Sequence, residues 1–302
     1  MNRSGAFDRV ALGATDVRVS RLAWGMWRFR GNDLVHARAL VDAAFDAGIN
    51  LFDTADIYGF NGRDGFGDAE VLLGRLFAAD PGLRRRMVLA SKGGIVPGVP
   101  YDSSADYLVA ACEASLHRLG TDHLDLFQVH RPDVLTHPAE VARALDTLVT
   151  SGKVRAVGVS NYTPAQTAAL VAYLHIPLAS IQPEFSPLVL EPLADGTLDL
   201  ALQHRISVLA WSPLAGGRLG EPGDDERAQR VCAELDGQAQ RFGVSRTAAT
   251  YAWIMAHPAG IVPIVGSQQA SRIREAADAY QAVWSRADWY RVLVASRGVA
   301  LP

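Results

Sequence analysis

The chain has 302 residues, a formal charge of −3, and 49% hydrophobic and 20% charged residues. This composition excludes a disordered, collagen-like or coiled-coil chain. Near-neutral charge argues against nucleic acid or an anionic membrane as the main partner, since both ask for a basic patch.

No apolar stretch reaches the ~20 residues that span a bilayer, and residues 1–20 lack the long apolar core of a secretory signal. Cys112 and Cys232 form neither a metal-ligand spacing nor a disulfide framework, and both read as buried structural thiols. A protein of a reducing, cytoplasmic compartment with no metal site is expected.

In chain order, Phe7–Leu12 and Val17–Ser20 flank Gly13-Ala14 and predict a β-hairpin. Eight short apolar runs follow, at 22–26, 50–53, 87–92, 124–130, 154–161, 179–182, 206–212 and 260–267. Near-continuous apolar runs are what strands buried on both faces look like. Amphipathic segments with readable ends lie between them. Ser103 and Asp106 resemble a capping box, Leu108, Cys112, Ser115 and Leu119 follow at helical spacing, and Gly120 supplies a stop. Thr163-Pro164-Ala165-Gln166 offers an N-cap, a first-turn proline and a capping glutamine. Gly48 and Gly152 close two further helices. Strand and helix alternate in units of roughly 34 residues, the size of a βα repeat. After the seventh run the gap is longer and predicts extra helices near 226–242 and 245–257. With no linker or composition shift, residues 1–302 read as a single domain. An open doubly wound sheet would place a G-x-G-x-x-G turn after its first strand; Gly25-Met26-Trp27 stands there instead. The expected fold is α/β, a (β/α)8 TIM barrel with an N-terminal β-hairpin.

Chemistry in such a barrel is built at the C-terminal ends of the strands. Read in order, those ends are Trp27, Asp53, Lys92, His130, Ser160-Asn161, Gln182, Trp211-Ser212 and Gly266-Ser267. A lone aspartate there is commonly a cap, a lone histidine a core residue and a lone lysine solvated. Three of them converging on one rim read as a catalytic group. Tyr58 lies five residues past Asp53, in the loop crossing the same mouth. A phenol is a weak acid at neutral pH, and a lysine ammonium in contact is expected to lower its pKa. Asp53 would hold that ammonium charged, and His130 would bond the substrate oxygen or the phenol. A proton donor beside an electrostatic cradle suits carbonyl reduction or alcohol oxidation. Such chemistry needs an external hydride donor.

With these residues placed, the chain resembles the aldo-keto reductase superfamily over nearly its whole length, in one bacterial general-oxidoreductase-like subgroup. The resemblance rests on GINLFDTADIYG, LASKGG, SLHRLGTDHLDLFQVHRPD, SGKVRAVGVSNYTPAQ, IQPEFSPL, LAWSPLAGGRL and PIVGSQQASRI. It implies that Asp53, Tyr58, Lys92 and His130 form the catalytic tetrad and that NADPH is the cofactor. Gly25, Met26 and Trp27 would face the cofactor with Asp53. Ser160, Asn161 and Gln182 would contact the nicotinamide carboxamide, and Trp211 would stack on its ring. Ser212, Pro213, Leu214, Gly216 and Arg218 would line the pyrophosphate. Gly266, Ser267, Gln268 and Arg272 would flank the adenosine 2′-phosphate, where a guanidinium favours NADPH over NADH. Two departures fall at that end: Gln268 stands where relatives carry a cation, and Ala276 where they carry asparagine.

The substrate is expected to be a small-molecule aldehyde or ketone held by Trp27, Tyr58 and His130, and Trp27, Phe60 and Phe66 are expected to form an aromatic cup that suits apolar carbonyls. A monomer or weak homo-oligomer is expected. Two other readings stand beside this one. A Schiff-base aldolase would use Lys92 as nucleophile, but needs it neutral, against the pull of Asp53. A non-catalytic NADPH-binding regulatory subunit would keep the tetrad without turnover.

Overall fold

The computed structural model describes residues 9–302. Eight parallel strands close into a barrel: β3 (Ala23–Gly25), β4 (Leu51–Asp53), β5 (Val88–Gly93), β6 (Leu124–Val129), β7 (Val154–Ser160), β8 (Leu178–Gln182), β9 (Ser207–Ala210) and β10 (Val262–Val265), with β10 pairing back onto β3. Every apolar run of the sequence therefore supplies a barrel strand. Helices α1 (Leu34–Asp46), α2 (Asp68–Ala79), α3 (Ala105–Leu119), α4 (Pro138–Thr150), α5 (Pro164–Val171) and α6 (Thr197–His204) follow β3 to β8 in turn. The long gap after β9 holds α7 (Glu226–Phe242) and α8 (Arg246–Met255), and α9 (Ala270–Glu275) and α10 (Arg286–Arg297) follow β10.

Alternation along each strand sorts side chains to two sides. Outward residues such as Trp24, Phe52, Phe127 and Val157 pack with the helices into the larger core. Inward residues split by height. At the N-terminal end Ala23, Leu51, Ala90, Leu126, Ala156 and Leu209 form an apolar floor; at the C-terminal end the inward positions turn polar. The predicted hairpin closes that floor. Strands β1 (Val10–Ala11) and β2 (Arg18–Val19) pair antiparallel, and Leu12, Val17 and Val19 are buried against the floor. Gly13 takes φ +59°, and a Cβ there would stand 2.5 Å from the Ala179 carbonyl oxygen. Only glycine fits where the hairpin meets the barrel. Phe7 and Asp8, the start of the predicted hairpin, lie outside the described residues.

Local signals mostly act as read. Thr163 and Gln166 form the reciprocal capping box of α5. Gly120 ends α3 at φ +62°, and Gly48 and Gly152 follow α1 and α4 with positive φ. The start of α3 differs. Its N-cap is Ser104, not Ser103, and no side chain of its own caps it. Glu140 on α4 accepts from the Ala105 N–H instead, at 3.1 Å, while Ser103 is buried and its N–H is held by Asp133. A long-range acceptor replaces the local one that the spacing predicted.

Candidate active site

Asp53 ends β4, and Lys92 lies near the end of β5, at a level with Gln128 on β6. Parallel register places Lys92 two residues beyond the level of Asp53, so its stem rises past the carboxylate. Its Nζ donates to Asp53 Oδ2 at 2.7 Å, to the Thr54 carbonyl at 2.9 Å and to Tyr58 Oη at 3.0 Å. All three donor positions of the ammonium are thus used inside the protein. The loop after β4 carries Tyr58 into place by continuing the sheet bonding: Thr54 N–H donates to Ala90 and Asp56 N–H to Lys92. A turn closed by Tyr58 N–H to the Ala55 carbonyl then aims the phenol at the lysine. His130 follows β6, buried, with its ring centroid 5.8 Å from that of Tyr58. The four residues that the sequence singled out therefore meet at one mouth.

Electrostatics at the mouth depart from expectation in one respect. Burial opposes charge on Lys92, but Asp53 and then Tyr58 hold the ammonium above its ordinary value. Burial also pushes the Tyr58 phenol up, and the opposing pull of Lys92 does not cancel it. The expected downward shift of Tyr58 is therefore corrected: desolvation of the phenolate outweighs the neighbouring cation. Burial, Lys92 and Arg131 together drive His130 well below its ordinary value, so the imidazole is neutral.

Beneath this group lies a polar layer that the sequence reading only partly caught. Asp53 Oδ1 accepts from Gln182 Nε2 at 3.0 Å and from Gln128 Nε2 at 3.3 Å, and Ser180 donates to Gln128 Oε1. Gln128 and Ser180 were not singled out. Gln128 shares strand parity with His130 in LDLFQVH, the one signal that marks it as inward. Arg131 was likewise missed; its guanidinium lies 5.9 Å from the Trp211 ring centroid and has no ion-pair or hydrogen-bond partner among the described residues.

The remaining predicted residues follow the rim. Ser160, Asn161 and Trp211 form one chain of bonds. Ser160 Oγ donates to the Gln182 carbonyl, Asn161 Nδ2 donates to Ser160 Oγ and the His130 carbonyl, and Trp211 Nε1 donates to Asn161 Oδ1. After Trp211 the loop takes left-handed backbone at Ser212, Ala215, Gly216 and Gly217, and Ser212 Oγ accepts from the Gly216 N–H. Pro213 is buried and Leu214 half-buried. Nothing stands within 4 Å of where a Cβ would project from Gly216, Gly217 or Gly266. Arg218 lies 3.4 Å from Asp225, whereas Arg272 is exposed with no partner among the described residues. Gln268 turns inward, donating to the Gly25 carbonyl, with Oε1 buried and unbonded. Ser267 accepts from the Gln269 N–H. On the substrate side Trp27, 61% exposed, stands edge-on to Tyr58 at 5.2 Å. Phe60 and Phe66 pair with each other, and Phe66 lies under Arg118. No ring contact joins either to Trp27 or Tyr58 among the described residues, so the aromatic cup reduces to Trp27 and Tyr58.

The chain is similar to known proteins over most of its length. The chain is 58% identical over 293 residues to a 6-dehydroglucose reductase of Novosphingobium aromaticivorans, covering 96% of each chain. It is 39% identical over 307 residues to a 6-dehydroglucose reductase of Agrobacterium fabrum, covering 96% of this chain and 98% of that one. A thermostable aldo-keto reductase solved with the inhibitor epalrestat shares the fold, with a TM-score of 0.82 at 24% identity, over 95% of this chain and 99% of the other. The sequence profile of the Aldo/keto reductase family matches residues 21–293. The chain belongs to the aldo/keto reductase family and is an oxidoreductase of carbonyl chemistry.

Proposed function

We propose that the protein reduces an aldehyde to an alcohol with NADPH, and that its substrate is a hydroxylated sugar aldehyde of the 6-dehydroglucose type. The observation that carries the chemistry is the single lysine bonded at once to Asp53 and Tyr58 at the barrel mouth. When bound, NADPH supplies the hydride that no side chain can. Tyr58 gives its hydroxyl proton to the carbonyl oxygen, and the phenolate left behind is stabilised by Lys92 across their 3.0 Å bond. Asp53 keeps the lysine charged and in place, and the neutral His130 hydrogen-bonds the carbonyl oxygen. A phenol held above its ordinary pKa keeps its proton through neutral pH, which suits an acid in reduction better than a base in oxidation. The same charged Lys92 argues against a Schiff-base aldolase, which needs the free amine.

The rim residues fit a dinucleotide. Open space over Gly216, Gly217 and Gly266 admits close backbone approach. The guanidinium of Arg272, without a partner among the described residues, can take a 2′-phosphate in forked bonding. Trp211 offers an aromatic face whose orientation is fixed through Asn161. Gln182, Ser160 and Asn161 already bond one another and Asp53, so they would meet a carboxamide through their unused lone pairs. The sugar assignment rests on the 58% identical relative and on Arg131, which has no ion-pair or hydrogen-bond partner among the described residues and lies beside the Trp211 ring, a pair suited to hydroxyl groups and a sugar face. The test is NADPH oxidation with 6-dehydroglucose, glyceraldehyde, butanal and a simple ketone. Turnover with 6-dehydroglucose well above butanal is expected; no NADPH oxidation with any of them overturns the reading.

A further inference from the structure

Asp56 sits between the two halves of the candidate acid. Its N–H donates to the carbonyl of Lys92 at 3.0 Å, and the next turn closes from Tyr58 N–H onto Ala55. Its side chain points away from the barrel mouth, toward the layer under α2 and α3. Oδ2 lies 3.4 Å from where a Cβ on Gly93 would stand, in a space shared with Ala111 and Phe127. The residue is 1% exposed, and no side chain among the described residues bonds its carboxyl oxygens, which have only the weak pull of the neighbouring Ile57 N–H. Its acidic neighbour Glu70, on α2, is also fully buried, but is fully engaged. Glu70 takes Arg118 Nε at 2.7 Å on one oxygen and the Ser91 hydroxyl on the other.

A buried carboxylate with so little donation and an anion beside it is a costly arrangement, and the neutral acid costs far less. We propose that Asp56 is a positioning residue, seating the Asp53–Tyr58 segment against β5 as a neutral acid and unseating it as a carboxylate. The groups facing it are Glu70 from α2, Arg118 and Tyr107 from α3, and Lys92 from β5. Burial and then Glu70 raise its pKa to about 8, against the weaker pull of Arg118, the Ile57 N–H and Lys92. Ionisation therefore falls in mild alkali. Arg118 is already bonded to Glu70, and Lys92 to Asp53 and Tyr58, so neither turns to the new charge; the segment yields, and Tyr58, two residues on and tied by one turn, is displaced from Lys92. Reduction slows through kcat, because the proton donor moves while the cofactor rim does not.

The activity arm of the test rests on the reductase reading; the stability arm does not. An acid with a raised folded-state pKa is protonated in the folded chain and ionised in the unfolded one across the interval between, so stability drains as pH rises through it. The wild type, Asp56→Asn and Glu70→Gln are compared in kcat from pH 6 to 10 and in melting temperature from pH 4 to 9. The wild type is expected to lose kcat with a midpoint near pH 8. Asp56→Asn abolishes that step, and Glu70→Gln moves it to lower pH. The wild type also loses melting temperature relative to Asp56→Asn as pH rises from 4 to 8. A kcat step that neither variant moves overturns the positioning role. Parallel melting curves for the wild type and Asp56→Asn overturn the buried neutral acid, whether or not the protein reduces a carbonyl. Should no aldehyde turn over while the melting curves diverge as expected, the reductase reading fails and the seating of Asp56 stands.

Discussion

Trp211 donates its indole N–H to Asn161 Oδ1 across 2.9 Å, while the other end of that amide bonds Ser160 and the His130 carbonyl. One side chain thus ties the aromatic wall of the rim to two strand ends. Asn161 holds φ +60°, a left-handed backbone that asparagine tolerates better than most residues. Asn161→Ala removes three hydrogen bonds and retains the unfavourable backbone. NADPH affinity is expected to fall about tenfold, or ~1.4 kcal/mol, with a lower melting temperature. Titration by intrinsic fluorescence measures it; an unchanged dissociation constant alongside a lower melting temperature would show that Trp211 does not face the cofactor.

Among the described residues, Tyr58 is the only phenol bonded to Lys92. Removing its hydroxyl in Tyr58→Phe keeps the ring, and with it the edge contact to Trp27. The loss expected of a general acid is about 10²–10⁴-fold in kcat, while NADPH affinity changes little. Reduction of aldehydes by the variant at the parent rate would mean that another group delivers the proton.

The parts of this site that were legible in the sequence are those fixed by strand parity and chain order. Asp53, Lys92 and His130 each end an apolar run, so closing the barrel brings them to one rim. The parts that were not legible depend on three-dimensional balance. Whether burial or Lys92 wins at Tyr58 is a contest of magnitudes, and burial wins. The partner of Gln128 is an aspartate 75 residues away, and the acceptor at the start of α3 comes from α4. Spacing along a chain carries no signal for such partners.

His130 is held neutral well below the pH at which an ordinary imidazole takes a proton. Burial, then Lys92 and Arg131, depress its pKa well below the ordinary 6.5. The unfolded chain binds a proton near pH 6.5 that the folded chain refuses until more acid conditions. Stability from this group is therefore present above that pH and lost as pH falls below it, at up to about 1.4 kcal/mol per unit. His130→Gln is expected to flatten part of this acid loss in chemical denaturation, and the wild-type kcat should show no step between pH 6 and 7. An acid limb centred near 6.5 would show a freely titrating imidazole.

Arg272 stands alone at the far end of the rim. Arg272→Ala is expected to raise the dissociation constant of NADPH by ten- to a hundredfold, about 1.5–3 kcal/mol for a charged hydrogen bond, and that of NADH hardly at all. No stability change should accompany it, because the guanidinium bonds nothing among the described residues. Equal losses for the two cofactors would place the 2′-phosphate elsewhere.

Gly158 tests the polar layer under the site. It lies where the β7–β8 register shifts, and a Cβ there would stand 2.1 Å from Ser180 Oγ and 2.9 Å from the Ser180 carbonyl oxygen. The hydroxyl can rotate away, at the cost of its bond to Gln128; the carbonyl cannot. Gly158→Ala must therefore part β7 from β8, at about 1–3 kcal/mol. Gln128 and Gln182 move with those strands, so their shared hold on Asp53 loosens and kcat falls together with stability. Gly237 is the control: in the middle of α7, with nothing within 4 Å of its missing Cβ, its replacement by alanine is expected to raise stability by about 0.5–1 kcal/mol. Denaturation midpoints of the two variants should move in opposite directions, and a Gly158→Ala protein as stable and active as the parent would mean that the two strands do not set the position of Asp53.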